Sequence, residues 1–209
     1  MLALILVGGT VTRFDAGSIT GLIVVGKFLD MTIDQWERVK RMNLDMVFHG
    51  LQAVLPPMVE AKEGQVVVFT SATGARPDPI TSIYGGTRAG ANGIVRAVGL
   101  EHARDGVQVN AVGTNYMDFP GFLKASRADT DPERRAAIEA QVPMKKLGTM
   151  EELASFTSVL LDGTSREPRV VKWLNRVPNG SRARLRAAGA RYALLLAMAF
   201  AILFAMKRV

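Results

Sequence analysis

The sequence predicts an α/β fold in which a parallel β-sheet carries helices on both of its faces. Short apolar runs rich in β-branched residues alternate along the chain with longer stretches whose apolar residues recur at helical spacing. The chain has 209 residues, which is the length of one domain with a short appendage. Polar residues follow two of the apolar runs, and open α/β sheets carry their reactive groups beyond the carboxyl ends of the strands.

Four apolar runs are predicted strands of this sheet. A strand that is covered on both faces reads as a nearly continuous run of Val, Ile and Leu, as these runs do. Their bounds are Leu2–Val7, Gly21–Val25, Gln65–Thr70 and Val107–Val112. Because strands alternate with helices, right-handed crossovers should make the strands parallel.

The first helix is predicted to begin after Thr32. Thr32 and Gln35 have the spacing of a capping box, in which the two side chains satisfy backbone N–H groups at the start of a helix. Apolar side chains then recur at helical spacing over Trp36–Leu51. The dipeptide Pro56-Pro57 lacks backbone N–H donors, so we expect it to interrupt or end this helix.

Three further helices are predicted downstream, and an irregular segment precedes the second of them. They cover Ser82–Arg104, Pro132–Gln141 and Met150–Asp162, and the irregular segment is Gly113–Phe122. Gly106 follows the first of these helices at the position where glycine commonly ends a helix.

The net charge of +7 is concentrated in the tail of the chain. Residues 165–209 contain ten Lys and Arg and one Asp or Glu, whereas residues 1–164 contain 16 basic and 18 acidic side chains. The sequence therefore predicts a nearly neutral catalytic domain, residues 1–164, followed by a basic tail. A basic nucleic-acid-binding domain is not indicated.

The tail contains an apolar segment, Tyr192–Met206, flanked by basic residues. Its 15 residues are fewer than the roughly 20 that span a bilayer comfortably. It is therefore either a weak membrane anchor or a buried or artefactual hydrophobic helix. The start of the chain has no basic segment typical of a secretory signal, so the expected location is the cytoplasm.

Metal and thiol chemistry are not expected. The chain has no cysteine, which excludes disulfides and a cysteine nucleophile. His49 and His102 do not have the spacing of zinc ligands, so no metal site is predicted.

Ser71, Tyr84 and Arg88 are the candidate catalytic residues. Ser71 follows a predicted strand, and Tyr84 and Arg88 are four residues apart, which places them on one face of a helix. A guanidinium close to a phenol stabilises the phenolate, so the tyrosine can act as a general base on a substrate hydroxyl. The serine can hold the substrate oxygen by a hydrogen bond.

These three residues resemble the Ser-Tyr-Lys pattern of the short-chain dehydrogenase/reductase (SDR) superfamily, with Arg88 in place of lysine. Asn43, Val109–Val112 and Pro143–Gly148 also resemble its motifs, and the likeness covers about Phe28 to Gly163. The resemblance implies a Rossmann-like parallel sheet. The fold is expected to be incomplete, because the N-terminal nucleotide-binding segment and the final strand of the superfamily have no counterpart.

Arginine in the triad resembles one branch of this superfamily, the halohydrin dehalogenases. Asn115, Tyr116 and Met117 stand where that family binds halide with the backbone N–H groups of a loop, and such turns form anion sites. The resemblance implies a cofactor-independent lyase that converts vicinal haloalcohols to epoxides with release of halide. In reverse, it would open epoxides with small anions.

The same resemblance suggests the pocket and the assembly. Thr73, Phe119 and Phe122 are candidate pocket residues, although the two phenylalanines could equally be core residues. A homo-tetramer is implied by analogy alone.

Two alternatives remain. One is an NAD(P)-dependent SDR oxidoreductase that acts on a hydroxyl or carbonyl group with NAD or NADP as cofactor. Gly8-Gly9 and Gly17 do not reproduce the Gly-rich fingerprint that such a cofactor needs. The other alternative is an inactive SDR fragment tethered by the tail.

Overall fold

The computed structural model describes residues 3–7, 22–161 and 170–171. Within them, the chain forms two compact units. The first unit comprises residues 3–7, 22–115 and 170–171, and the second comprises residues 116–161.

A parallel sheet forms the centre of the first unit. Its strands are β1 (Ala3–Val7), β2 (Gly64–Ser71), β3 (Val107–Thr114) and β4 (Val170–Val171). They lie in the order β1-β2-β3-β4, and each neighbouring pair is parallel. The predicted Rossmann-like α/β fold with a parallel sheet is therefore confirmed. Strand β4 lies in the segment that the sequence assigned to the basic tail.

The predicted strand Gly21–Val25 was wrong, because residues 22–25 belong to no strand. The carbonyl of Leu22 accepts a hydrogen bond from the Asn43 side-chain amide at 2.7 Å. The backbone N–H of Gly26, just beyond the segment, donates to the carbonyl of Ile80 at 2.8 Å. This segment therefore bonds to a helix side chain and a loop. An apolar pattern alone does not reveal such partners.

Two helices with a π-helical turn between them precede β2. Helix α1 is Ile33–Lys40, the π turn is Arg41–Asp45, and helix α2 is Met46–Ala61. The predicted capping box is confirmed, since Thr32 and Gln35 exchange both hydrogen bonds.

Pro56 and Pro57 do not end α2, which continues to Ala61. Both prolines are exposed, and so are Gln52 and Ala53, four residues before them. The carbonyls that lose an N–H partner therefore lie on the solvent side of the helix, where water can bond them. The prediction of an interruption was wrong for this reason.

Helix α3 (Ser82–Glu101) carries the segment after Ser71 back along the sheet. A short 3-10 turn, Ala103–Asp105, and Gly106 then lead into β3. Gly106 has φ of 74°, and a Cβ at this position would lie 2.2 Å from the carbonyl oxygen of Lys62. Glycine is required there both by the backbone conformation and by this contact.

The core of the first unit lies between the sheet and helices α2 and α3. Valine side chains of β2 and β3 pack there against the buried faces of the two helices. The residues at its centre are Val47, Leu51, Val66, Val68, Ala91, Val95, Val109 and Ala111. Their packing fixes how α3 lies on the strand that ends in Ser71.

The second unit contains three helices. They are α4 (Pro120–Ser126), α5 (Pro132–Gln141) and α6 (Met150–Leu161). The sequence predicted α5 and α6, but it placed the start of α4 within an irregular segment. Proline at the first position of α4 fixes a helical φ and has no N–H to satisfy, which favours a helix start.

No helix in the described part of the chain combines the length and apolar character needed to cross a membrane. The apolar segment 192–206 and residues 8–21 lie outside the described residues, so the predictions made for them are not examined by the structure.

Candidate active site

Ser71 is the last residue of β2, at the carboxyl edge of the parallel sheet. Its side-chain oxygen accepts a hydrogen bond from the backbone N–H of Thr73 at 3.2 Å and caps the 3-10 turn Ala72–Gly74. The Ser71 hydroxyl also lies 3.2 Å from that of Thr73, to which it donates. These two contacts hold the buried serine in one orientation. Thr73, the predicted pocket residue, is therefore a direct neighbour of Ser71.

Tyr84 and Arg88 lie together on the first turns of α3. The guanidinium carbon of Arg88 is 5.2 Å from the centre of the Tyr84 ring. Arg88 is only 1% exposed, and its Nη1 donates to the carbonyl of Phe69 in β2 at 3.4 Å. The predicted pair therefore meets, with the cation buried between the tyrosine ring and the strand that carries Ser71.

Gly74 and Gly85 allow the turn after Ser71 to lie against α3. A Cβ at Gly74 would lie 2.8 Å from the backbone carbonyl carbon of Arg88, which is closer than real contacts allow. A Cβ at Gly85 would lie 3.2 Å from the side chain of Thr73. The absence of side chains at these two positions thus brings the serine turn close to the helix that carries the tyrosine.

Asn43 occupies the centre of the π turn and is completely buried. Its side-chain amide donates to the carbonyls of Leu22 and Val39, at 2.7 and 2.9 Å. Single π turns inside helices are frequent at functional sites. The sequence singled out Asn43 only by resemblance, because its partner Leu22 is 21 residues away and no local pattern links the two.

Thr70 is a further polar residue that the sequence analysis did not select. It is 4% exposed and directly precedes Ser71 in β2. Its hydroxyl has no hydrogen-bond partner among the described residues. The only signal available in the sequence was a hydroxyl residue at the end of an apolar strand, which is too common to be informative.

Asn115, Tyr116 and Met117 fall on both sides of the boundary between the two units. Asn115 ends the first unit and is half-buried. In the second unit, the carbonyl of Tyr116 accepts a hydrogen bond from the backbone N–H of Gly148 at 3.1 Å. Met117 is buried and forms a bridge with Gly148. The structure thus gives Tyr116 and Met117 a role in joining two segments of the second unit.

The two candidate pocket phenylalanines contact each other, with ring centres 6.4 Å apart. Phe122 and Tyr116 pack against the buried cluster of Ala128, Ile138 and Leu147. The structure therefore supports the core alternative for Phe122.

Comparisons with known proteins show the family. A family model described as enoyl-(acyl carrier protein) reductase matches residues 15–167. The chain is 31% identical over 149 residues to D-beta-hydroxybutyrate dehydrogenase of Rhizobium meliloti (strain 1021), covering 67% of this chain and 57% of the relative. It is 31% identical over 169 residues to oxidoreductase UcpA of Escherichia coli (strain K12), covering 72% of this chain and 64% of UcpA.

A solved structure of actinorhodin polyketide ketoreductase with NADPH is also similar. It matches with a TM-score of 0.63 and 27% identity, covering 68% of this chain and 57% of the ketoreductase. The chain thus spans 57 to 64% of the length of these three proteins.

These comparisons overturn two predictions. The relatives are dehydrogenases, oxidoreductases and a ketoreductase solved with NADPH, so the prediction of a cofactor-independent halohydrin dehalogenase was wrong. The prediction of no cofactor was wrong with it. The physical reason is that Arg88 keeps the cation beside Tyr84 that either chemistry needs, so arginine does not discriminate between them. The halide-binding prediction for Asn115, Tyr116 and Met117 depended on that reading and has no support from the relatives.

The fold and the placement of Ser71, Tyr84 and Arg88 agree with this match, which covers most of the sequence. The chain belongs to the short-chain dehydrogenase/reductase superfamily, in the family whose model is described as enoyl-(acyl carrier protein) reductase.

Proposed function

We propose that this chain is an NAD(P)-dependent oxidoreductase that interconverts a hydroxyl and a carbonyl group on a small-molecule substrate. The observation that carries the proton-transfer part of the proposal is the buried Arg88 guanidinium 5.2 Å from the centre of the Tyr84 ring, on the helix that packs against the Ser71 turn. The dehydrogenase and ketoreductase relatives support the same reaction class.

Tyr84 is the proton acceptor in this proposal. In the oxidation direction, the phenolic oxygen Oη takes the proton from the substrate hydroxyl, and in the reduction direction it returns a proton to the carbonyl oxygen. The buried guanidinium of Arg88 lies over the ring and holds it in position for this transfer.

Ser71 orients the reacting oxygen. Its hydroxyl has one proton and two lone pairs, and the turn uses one lone pair for the N–H of Thr73. The hydroxyl proton is directed to Thr73 Oγ1 in the present structure and can rotate to a substrate oxygen. Because the turn holds the serine backbone in place, this change requires only rotation about the Cβ–Oγ bond.

The described residues fit the nicotinamide end of the proposed cofactor. The buried hydroxyl of Thr70 has no hydrogen-bond partner among the described residues, and Thr70 lies next to Ser71 at the carboxyl edge of the sheet, where a bound polar group can supply one. A ribose provides hydroxyl groups, so Thr70 would hold the ribose of the bound nucleotide. When bound, the nicotinamide supplies the carbon that accepts or returns the hydride.

The proposal is tested by nucleotide binding and by turnover. Isothermal titration calorimetry with NAD⁺, NADP⁺, NADH and NADPH should show binding of at least one of them. A panel of secondary alcohols and ketones, followed by nicotinamide absorbance, should then show turnover. Tyr84→Phe should lower kcat/KM by about 10²–10⁴-fold while nucleotide binding persists, since it removes only the proton acceptor.

Tyr116→Phe is the matched control. It removes a phenolic hydroxyl from the second unit, where that group contacts Gln141 at 3.3 Å and is exposed. We expect its turnover to equal that of the wild type. Absence of binding of all four nucleotides, or full activity of Tyr84→Phe, would contradict the proposed function.

A further inference from the structure

Ile80 occupies a strained position in the turn that leads into α3. The backbone N–H of Thr81 donates to the carbonyl of Asp78 at 3.3 Å, which closes a four-residue turn with Pro79 and Ile80 at its centre. Ile80 has φ of 64°. A turn that has proline at its second position and a positive φ at its third position favours glycine or asparagine at the third. A β-branched residue with positive φ is a genuine outlier.

The side chain of Ile80 is 52% exposed, so packing in the core does not compensate for this strain. The strained backbone is instead held by its neighbours. The carbonyl of Ile80 accepts a hydrogen bond from the N–H of Gly26 at 2.8 Å, and Leu22 on the same segment is bonded to the buried Asn43. Strained residues persist where the surrounding structure imposes them, and they cluster at functional sites.

The turn is directly connected to the proposed proton acceptor. The carbonyl of Thr81 accepts a hydrogen bond from the N–H of Gly85 at 2.7 Å, so the turn forms the first bond of the helical turn that carries Tyr84. Ile80 precedes Tyr84 by four residues. The position of the isoleucine is thereby tied to that of the tyrosine.

The segment bonded to this turn also presents apolar side chains. Ile23 and Val25 are 52% and 56% exposed, whereas Leu22, Val24 and Gly26 are partly buried. Alternate exposure places Ile23 and Val25 on the same side of the segment. The hydrogen bond between Gly26 and Ile80 brings this segment beside the turn.

We infer that Ile80, with Ile23 and Val25, determines substrate specificity by contacting an alkyl substituent next to the reacting carbon. The substrate class is a secondary alcohol or ketone with an apolar chain. This inference rests on the proposed function, because it uses Tyr84 to position the reacting oxygen. The strained backbone holds Ile80, with its side chain exposed, in the turn that leads into the helix of Tyr84.

The test uses a series of 2-alkanones, from 2-butanone to 2-octanone, with the reduced nucleotide that binds. For the wild type, kcat/KM should rise about fourfold for each added methylene, as burial of one CH₂ group in an apolar contact predicts. Ile80→Asn should reduce this increase in kcat/KM per methylene by at least half. Asparagine tolerates a positive φ, so the same substitution should raise Tm by a few degrees.

Leu100→Gln is the matched control, since Leu100 is an exposed apolar residue near the far end of α3. It should leave the dependence on chain length unchanged. An equal dependence in the wild type and Ile80→Asn would overturn the inference. If no ketone is turned over, the proposed function fails, and saturation-transfer NMR with 2-octanone then decides the inference. Weaker 2-octanone binding by Ile80→Asn would support apolar recognition, and unchanged binding would overturn it.

Discussion

Arg88 lies with its guanidinium carbon 5.2 Å from the centre of the Tyr84 ring, and the arginine is almost completely buried. A cation over the face of an aromatic ring is attracted by the ring, and the attraction grows when both are removed from water. The contact fixes the position of the ring as well as supplying a positive charge. Arg88 therefore connects the helix of Tyr84 to the strand of Ser71 through the carbonyl of Phe69.

Replacement of Arg88 should separate the effect of its charge from that of its shape. Arg88→Lys keeps a positive charge but loses the planar group, so we expect kcat/KM to fall about tenfold. Arg88→Ala removes both and should lower kcat/KM further, by about 10²-fold or more. Added guanidinium chloride at non-denaturing concentration should restore part of the activity of Arg88→Ala. Wild-type turnover by Arg88→Ala would show that the cation has no role.

Two glycine positions near α3 should respond oppositely to alanine. In Gly74→Ala, the new Cβ would lie 2.8 Å from the backbone of Arg88, so we expect a loss of about 1–3 kcal/mol in the free energy of unfolding. Gly93→Ala, in open space on α3, should instead gain up to about 1 kcal/mol from higher helix propensity. Urea denaturation of both variants measures this difference. Equal effects would show that the turn does not lie tightly against the helix.

Asn43→Leu should destabilise the first unit. The change removes two hydrogen bonds and leaves the carbonyl of Leu22 without its amide donor, which corresponds to about 1–3 kcal/mol. Gln52→Leu, on the exposed side of α2, is the control and should change stability by less than about 0.5 kcal/mol. Amide hydrogen exchange should also be faster at Gly26 in Asn43→Leu. Unchanged exchange at Gly26 would contradict the link between Asn43 and this segment.

Arg135 provides a prediction for the second unit. Its guanidinium lies 2.6 Å from Asp118 and 3.0 Å from Glu139. These two hydrogen bonds hold the pKa of Arg135 above its ordinary value, and the bond to Asp118 has the larger effect. A raised pKa gives stability that is fully present below the ordinary arginine pKa and is lost only as the pH rises through the raised pKa of the folded state. The contribution is therefore constant across neutral pH.

Salt, and not pH, should reveal this contribution. Arg135→Met should lower the free energy of unfolding by up to about 1 kcal/mol, because the side chain is 35% exposed and solvent screens the pair. The difference from the wild type should shrink in 1 M NaCl, at which the screening length is about 3 Å. Lys146→Met, which breaks a more exposed pair with Glu152, is the control and should show a smaller difference. If the difference in the free energy of unfolding did not depend on salt, the contribution of Arg135 would come from packing and not from its charge.

Much of the fold was predictable because its signals are local. The capping box at Thr32 and Gln35, and the apolar runs of β2 and β3, depend on residues that are neighbours in sequence. Pro56 and Pro57 were misread because the effect of proline in a helix depends on whether water reaches the carbonyls one turn earlier. That accessibility is a property of the folded surface.

The candidate site was predictable in its residues but not in its contacts. The spacing of Tyr84 and Arg88 on one helix required that they share a face, and the structure agrees. Spacing did not show that Arg88 reaches the carbonyl of Phe69, which is 19 residues earlier in the chain. It also could not separate an oxidoreductase from a dehalogenase, because both use a cation beside a tyrosine.

Local signals along the chain suffice to place the strands and helices around Ser71 and Tyr84, because backbone preference and side-chain periodicity act over a few residues. The tertiary structure alone decided the burial of Arg88, the bonding of Leu22 to Asn43, and the packing of Phe122 in a core. Each of these outcomes depends on a partner that is distant in sequence. Their energies come from the removal of water between groups that meet only after the chain has folded.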